Sequence, residues 1–270
     1  MKPSHTDGRL PVARLYDALA GLERGGWEKR LIAEQRADDG ESFPVFAYFN
    51  GRPAERVIIG GIHGREPAGS NAIAAFADRL VALGREVPIL VLPLLNPWGY
   101  LHDSRYGPSG KSVTDADYFL GRADGPSCPE AASILSWILG RASIAPGAAA
   151  IDLHEDPVFE EPGYVFEGRG SYLYATGAAA ATHPVTERVA GYLHTCSQPL
   201  AMTGTTRFGE ALVRGMIVDS EDGSVDELLA KKKGCSPVLT TELVLRSRTD
   251  PPLPERVAAY VGTLEAFFAG

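Results

Sequence analysis

The stretch IIGGIHGREPAG, residues 58–69, decides the fold class, because it has the pattern of a buried strand that turns directly into a helix. The run from Val57 to Gly61 is short and β-branched, which is typical of a strand covered on both faces. Pro67 stands where the first turn of a helix favours proline, and apolar residues recur at helical spacing as far as Leu83. A second apolar run, Val87 to Leu95, predicts the next strand. We expect a strand–helix–strand unit with parallel strands.

The same alternation continues along the chain and predicts an α/β fold, a three-layer sandwich with a mixed central sheet. The segment Phe43 to Phe49 alternates like an antiparallel edge strand. About 30 residues from Asn96 to Ser127 lack periodicity, and a loop of that length is usually functional. We expect one domain, residues 1–270, in which residues 1–10 form a flexible tail. The other predicted elements are a helix from Cys128 to Gly140, strands from Ala148 to Leu153 and Val238 to Leu245, and a closing helix from Pro254 to Ala269.

Charge and composition exclude several classes of protein. The chain has 26 Lys and Arg against 34 Asp and Glu, and its net charge of −8 disfavours nucleic acid as a partner. Its three cysteines are widely spaced, which argues against both a disulfide framework and a thiolate metal site. No apolar run is long enough to span a membrane, and the first residues lack the pattern of a secretory signal. We therefore expect a cytoplasmic protein that acts on a small molecule; the sequence leaves its oligomeric state open.

Three residues that suit a metal ion follow predicted strands. His63 and Glu66 lie where the first strand turns into its helix, and His154 ends the strand that begins at Ala148. Ligands bind at this edge of an open α/β sheet. A catalytic zinc ion takes about three nitrogen or oxygen ligands and keeps an open position for water. The sequence therefore predicts one zinc ion per chain, held by these three side chains.

The ordered motifs resemble the zinc carboxypeptidase (M14) superfamily, including its aspartoacylase and succinylglutamate desuccinylase branch. This resemblance implies a zinc-carboxypeptidase-like fold, of the phosphorylase/hydrolase-like architecture, and hydrolysis of an amide bond. The matching pieces are spread over about 180 residues of the chain and are HGREP at 63–67, LLNPWGY at 94–100, Arg105, TDAD at 114–117, IDLHE at 151–155 and TTEL at 240–243.

The resemblance also implies roles for further residues. Glu242 matches the general base, which takes a proton from water and passes it to the leaving amine. Arg105 matches the arginine that stabilises the developing oxyanion. Asp115 matches the aspartate that hydrogen-bonds a ligating histidine, here His63. We expect Glu155 and Asp156 to be supporting or surface acids, although they lie next to His154.

At two positions the chain departs from the family pattern. Carboxypeptidases have an Asn-Arg pair that grips the terminal carboxylate of the substrate, and this chain has Asp117 and Tyr118 instead. An acid cannot hold a carboxylate at neutral pH. Either the substrate has no carboxylate at that point, or an arginine elsewhere holds it; the candidates are Arg207, Arg214, Arg246 and Arg248. Asn96, Asp117 and Tyr118 are the residues expected to contact substrate.

Three functions remain open from the sequence. The first is a metallopeptidase of carboxypeptidase type, which NPWGY at 96–100 favours. The second is an N-acyl amino acid deacylase, which the short separation of Glu66 and His154 favours. The third is a metal-binding regulatory protein without catalysis, for which Glu242 or Arg105 would point away from the metal. The expected substrate is accordingly a small peptide or an N-acyl amino acid.

Overall fold

The computed structural model describes residues 5–108, 115–119, 129–160, 170–177, 179–196, 203–205, 209–218, 223–247 and 249–270. The helices are α1 (Val12–Arg24), α2 (Pro67–Ala75), α3 (Ala77–Leu83), α4 (Pro97–His102), α5 (Asp115–Phe119), α6 (Pro129–Gly140), α7 (Pro184–Leu193), α8 (Val225–Lys233) and α9 (Leu253–Phe268). The strands are β1 (Glu28–Arg36), β2 (Ser42–Phe49), β3 (Ala54–Gly60), β4 (Ile89–Leu92), β5 (Ile144–Asp156), β6 (Tyr172–Thr176), β7 (Thr203–Thr205), β8 (Ala211–Val213), β9 (Met216–Val218) and β10 (Val238–Val244).

The strands form one mixed sheet in the order β1-β2-β4-β3-β5-β10-β6-β9-β8-β7. Its centre is parallel, since β3 pairs in parallel with both β4 and β5, and β5 pairs in parallel with β10. Antiparallel strands flank this centre, with β2 against β4 and β6 against β10. The parallel centre brings the ends of β3, β5 and β10 to a common edge of the sheet.

Helices cover both faces of the sheet, and each face has its own hydrophobic core. Leu19, Ile73 and Leu264 belong to the core beneath α1, α2, α3, α7 and α9. Ile134 and Leu229 belong to the core on the opposite face, beneath α6 and α8. The α/β three-layer sandwich predicted from the sequence is confirmed, and so is the parallel β3-α2-β4 connection.

The structure corrects three details of the sequence prediction. The strand β2 is not at the edge, because β1 pairs outside it; β1 escaped detection since its charged sequence, EKRLIAEQR, keeps most of one face in solvent. The helix from Pro67 to Leu83 is interrupted at Phe76, where the backbone takes φ −89° and ψ 0°. The spacing of apolar residues along the sequence does not reveal a helix interruption of one residue. The supposed loop after Asn96 contains α4 and α5, which are too short for a periodic signal.

The segment from residue 5 to residue 10, expected to be a flexible tail, lies against α2 and α4 in the structure. Arg9 donates hydrogen bonds to Asp7, to Asp103 and to the carbonyl oxygen of Tyr100. His5 contacts the carbonyl oxygen of Leu101 at 2.7 Å. Apart from Asp7, these partners are about 90 positions away along the chain, so local sequence gives no sign of them. No helix among the described residues is both long and apolar enough to cross a membrane.

Candidate metal centre

His63 and Glu66 reach the site because the chain passes from β3 into α2 through a very tight turn. Gly61 has φ +63°, a conformation that favours glycine, and a Cβ there would lie 2.5 Å from Ser70 Oγ. Gly64 lies so close to α4 that a Cβ would stand 2.0 Å from the carbonyl carbon of Gly99. The turn therefore fixes both side chains at the edge of the sheet, where each is only 3% exposed.

His154 comes to the same place from β5. His63 Nδ1 lies 2.8 Å from Glu66 Oε1, and His154 Nδ1 lies 3.0 Å from Glu66 Oε2. The two Nδ1 atoms are 3.1 Å apart. Among the described residues these three form the group of His, Cys, Asp or Glu side chains whose ligand atoms all lie within 4.8 Å of one another.

This arrangement fits a divalent metal ion. A tetrahedral zinc ion with ligand bonds of roughly 2.1 Å holds its ligand atoms roughly 3.4 Å apart, close to the separations found here. Two imidazole nitrogens and one carboxylate oxygen are donors that zinc accepts. Burial raises the pKa of Glu66, but the neighbouring His63 and His154 outweigh it and hold that pKa below its ordinary value. The carboxylate is therefore ionised, as a ligand must be.

Each histidine has a carboxylate behind it. His63 Nε2 lies 2.8 Å from Asp115 Oδ1, so the structure brings Asp115 to the histidine with which the sequence paired it. His154 Nε2 lies 3.3 Å from Asp152 Oδ2, an ion-pair distance without hydrogen-bond geometry. Asp152 is 1% exposed and was not among the residues expected from the sequence. Its signal was the i, i+2 spacing to His154, which puts both side chains on one face of a strand.

Arg105 lies at the opening of the site, with its side chain 30% exposed. Its Nη1 is 3.6 Å from Glu66 Oε1, and its Nη2 donates to Asp115 Oδ2 at 3.4 Å. Its Nε donates to the hydroxyl oxygen of Tyr106 at 3.2 Å, and that hydroxyl donates in turn to Asp115. The guanidinium is thus held beside the candidate metal ligands while part of it faces solvent.

Glu242 lies on β10 beside His154, because the two residues are paired in the parallel register of β10 and β5. Its side chain is partly exposed. Burial raises the pKa of Glu242 well above its usual value, with the carboxylates of Glu66 and Asp156 adding to the effect and His154 opposing it. A raised pKa makes a carboxylate a stronger proton acceptor than a free Glu side chain.

Asn96, Asp117 and Tyr118, the residues expected to contact substrate, have different surroundings. Asn96 is 1% exposed; its Oδ1 accepts from Gly99 N and Gln35 Nε2, and its Nδ2 donates to the carbonyl oxygen of Arg105. These contacts position Arg105. Tyr118 is buried in the core and stacks on Tyr106. Asp117 is part of α5, but its side chain lies outside the described residues. Substrate contacts from these three residues stay predictions.

Glu155 and Asp156 are both buried, so neither is a surface acid. Tyr172 donates a hydrogen bond to Asp156. Glu155 points to the face of β5 opposite His154, where it accepts hydrogen bonds from Ala68 N in the first turn of α2 and from Arg256. Glu155 therefore braces α2 and α9 against β5.

Neither a protein-family profile nor a curated protein sequence matches the chain. Solved structures match over nearly its whole length. A protein described as a metallopeptidase, from Shewanella amazonensis, has a TM-score of 0.75 and 22% identity, with 95% of this chain and 91% of that chain covered. Its counterpart from Shewanella denitrificans has a TM-score of 0.75 and 20% identity, with 95% and 88% covered. A metallo-carboxypeptidase from Burkholderia cenocepacia has a TM-score of 0.60 and 14% identity, with 94% and 67% covered. At these identities the likeness establishes the fold.

Proposed function

We propose that this protein is a zinc-dependent hydrolase of amide bonds, of carboxypeptidase type, in which His63, Glu66 and His154 hold one zinc ion. The observation that carries the proposal is the meeting of these three side chains at the edge of the parallel strands, with Glu242 and Arg105 beside them. The fold shared with metallopeptidases and a metallo-carboxypeptidase supports it.

A bound zinc ion would act as a Lewis acid and make water a better nucleophile near neutral pH. Glu242 takes one proton from the attacking water and delivers it to the nitrogen of the leaving amine, so that the amide C–N bond breaks and no proton is lost. Its raised pKa suits the first part of this transfer, because it makes the carboxylate a stronger acceptor of the proton from water.

Arg105 binds the carbonyl oxygen of the scissile amide as negative charge develops there. The guanidinium stays charged at any physiological pH and donates through a rigid fork. It is already oriented, because Asn96 and Gly64 hold its carbonyl oxygen and Tyr106 and Asp115 hold its side chain. Pre-oriented donors stabilise a transition state without reorganisation at the moment of reaction.

Two other functions remain as alternatives. An N-acyl amino acid deacylase would use the same zinc ligands, base and arginine, and would differ only in the groups that hold the two ends of the substrate. A metal-binding regulatory protein would not need Glu242 and Arg105 near the metal. Their position beside His154 and Glu66 favours hydrolysis over regulation.

The proposal is tested by metal content and activity together. Purified protein should contain about one zinc ion per chain, and His63→Ala and His154→Ala should each lose it, because two ligands do not make a tight site. Elemental analysis gives the stoichiometry. The zinc-loaded protein is then screened against dipeptides and N-acyl amino acids, with both variants as controls. Full occupancy in both variants would refute the site, and the absence of turnover with every amide would favour the regulatory alternative.

A further inference from the structure

A cavity of about 300 Å³ lies next to Glu66, on the side of the site where α2 and α9 begin. Its polar lining comes from residues far apart in the sequence. Its apolar walls include Pro67, Phe159 and Leu245, and residues of the N-terminal segment close one side. This volume is at the lower end of the range for small-molecule sites.

Three arginines, Arg9, Arg65 and Arg256, line this cavity together with the acids Asp7, Glu66 and Asp103. Arg256 is 2% exposed, and although it donates to Glu155, its Nε has no hydrogen-bond partner among the described residues. A buried donor without an acceptor is costly, so an acceptor from a bound molecule would be favourable there.

Two helices begin at or near the cavity. The first residue of α2, Pro67, lines it, and Arg256 lies near the start of α9. Helix N-termini carry partial positive charge and attract anions. The acidic groups around the cavity already have cationic or imidazole partners: Asp7 and Asp103 pair with Arg9, Glu155 pairs with Arg256, and Glu66 contacts the two histidines.

We propose that this cavity, with Arg256 and Arg65, holds a carboxylate of the substrate. This proposal rests on the proposed function for the identity of the substrate. The arginines named from the sequence are less suitable or lie elsewhere. Arg246 is exposed, Arg214 sits in the turn between β8 and β9, and Arg207 and Arg248 lie outside the described residues.

The first experiment measures binding without catalysis. Zinc-free protein is titrated by calorimetry with succinate and with succinamide, which has the same shape and no charge. We expect succinate to bind at least about tenfold more tightly, because charge-assisted bonds to arginine are lost in the amide. Because zinc-free protein cannot hydrolyse a substrate by the proposed mechanism, this experiment measures binding alone. Its result can therefore be interpreted even if the proposed hydrolase activity is not found.

The variants are chosen so that a folding defect does not imitate the result. Arg65→Gln removes a partly exposed cation, and Arg256→Gln combined with Glu155→Gln removes both charges of the buried pair together. Both variants should bind succinate and succinamide with equal affinity, and both should still unfold in a cooperative thermal transition. Arg246→Gln, an exposed arginine outside the cavity, should keep the wild-type preference.

A further experiment measures the activity of the zinc-loaded enzyme on matched amide substrates that end in a carboxylate or a carboxamide. The wild type should have a higher kcat/KM for the carboxylate by about tenfold or more, and Arg65→Gln should abolish the difference. Three outcomes would each overturn the proposal: no binding of succinate, equal affinity for succinate and succinamide, or an unchanged preference in both cavity variants.

Discussion

His63 and His154 turn the same ring nitrogen, Nδ1, toward Glu66, and the cause lies in the acids behind them. Asp115 and Asp152 stand next to the opposite nitrogens, Nε2. A carboxylate keeps the proton of an imidazole on the nitrogen that faces it, which leaves the lone pair of Nδ1 for a metal ion. Asp115 therefore fixes the atom that His63 offers, and the charge of Asp152 favours the same choice at His154.

Asp152→Asn should weaken zinc binding by about 10- to 100-fold, the usual range for losing an acid that orients a ligating histidine. The measurement is competition with a chromophoric chelator. Asp156→Asn is the matched control, because Asp156 lies on the same strand and face but accepts from Tyr172. It should change zinc affinity only slightly. Equal effects of the two substitutions would mean that Asp152 does not act through His154.

Glu242→Gln should keep about one zinc ion per chain and lower kcat by roughly 100-fold or more, because the amide preserves the shape of the side chain and removes its basicity. Metal content and turnover are measured on the same sample. Turnover near that of the wild type would exclude Glu242 as the base. Glu155 would then be a poor replacement, since it faces α2 and Arg256.

At the scale of elements, the turn after β3 and the segment that follows α4 contact each other at the site. The turn after β3 carries His63 and Glu66, and the α4 region leads to Arg105. They touch through backbone, since Gly64 N donates to the carbonyl oxygen of Arg105 and Arg65 N to that of Ser104. Glycine at position 64 makes this approach possible.

Gly64→Ala should destabilise the protein by roughly 1–3 kcal/mol and also weaken zinc binding, because the new methyl group would overlap the backbone of Gly99 and push the two turns apart. Thermal unfolding and zinc affinity report the two effects. Gly191→Ala is the control: it lies within α7, a Cβ there meets no atom within 4 Å, and alanine favours the helix by roughly 0.5–1 kcal/mol. If Gly64→Ala and Gly191→Ala had the same effect on stability and on zinc affinity, the close approach of Gly64 to Gly99 would contribute to neither.

At the scale of the whole molecule, the metal ligands tie distant parts of the sheet together. His63 and Glu66 follow β3, while His154 belongs to β5, 91 positions after His63. Several carboxyl groups surround them, among them the buried Asp152 and the partly exposed Glu242, and carboxylates without a cation are costly in the interior. A divalent cation at this place would stabilise the folded state.

Removal of zinc by a chelator should therefore lower the melting temperature, and added zinc should restore it. A ligand at a thousand times its dissociation constant contributes roughly 4 kcal/mol of stability, so a shift of several degrees is expected. The measurement is a thermal melt with and without chelator. His154→Ala should melt at one temperature under both conditions, and a wild type indifferent to the chelator would contradict a structural contribution from the metal.

The sequence by itself determined the alternation of strands and helices, the parallel centre of the sheet and the positions of His63, Glu66 and His154 near strand ends. These features depend on local patterns, namely hydrophobic period, proline at a helix start and glycine in a tight turn. The resemblance of its ordered motifs to a known superfamily added the roles of Glu242, Arg105 and Asp115, which remain predictions.

Only the tertiary structure decided the contacts between residues far apart in the chain. It placed the N-terminal segment against α4, joined Gln35 to Asn96 across 61 positions, and brought Arg256 to Glu155 across 101 positions. None of these residues has a local signal, because a polar side chain in a strand or helix has the same sequence pattern whether its partner is water or a distant acid. The cavity beside Glu66 exists only where these segments meet, so no stretch of sequence contains it.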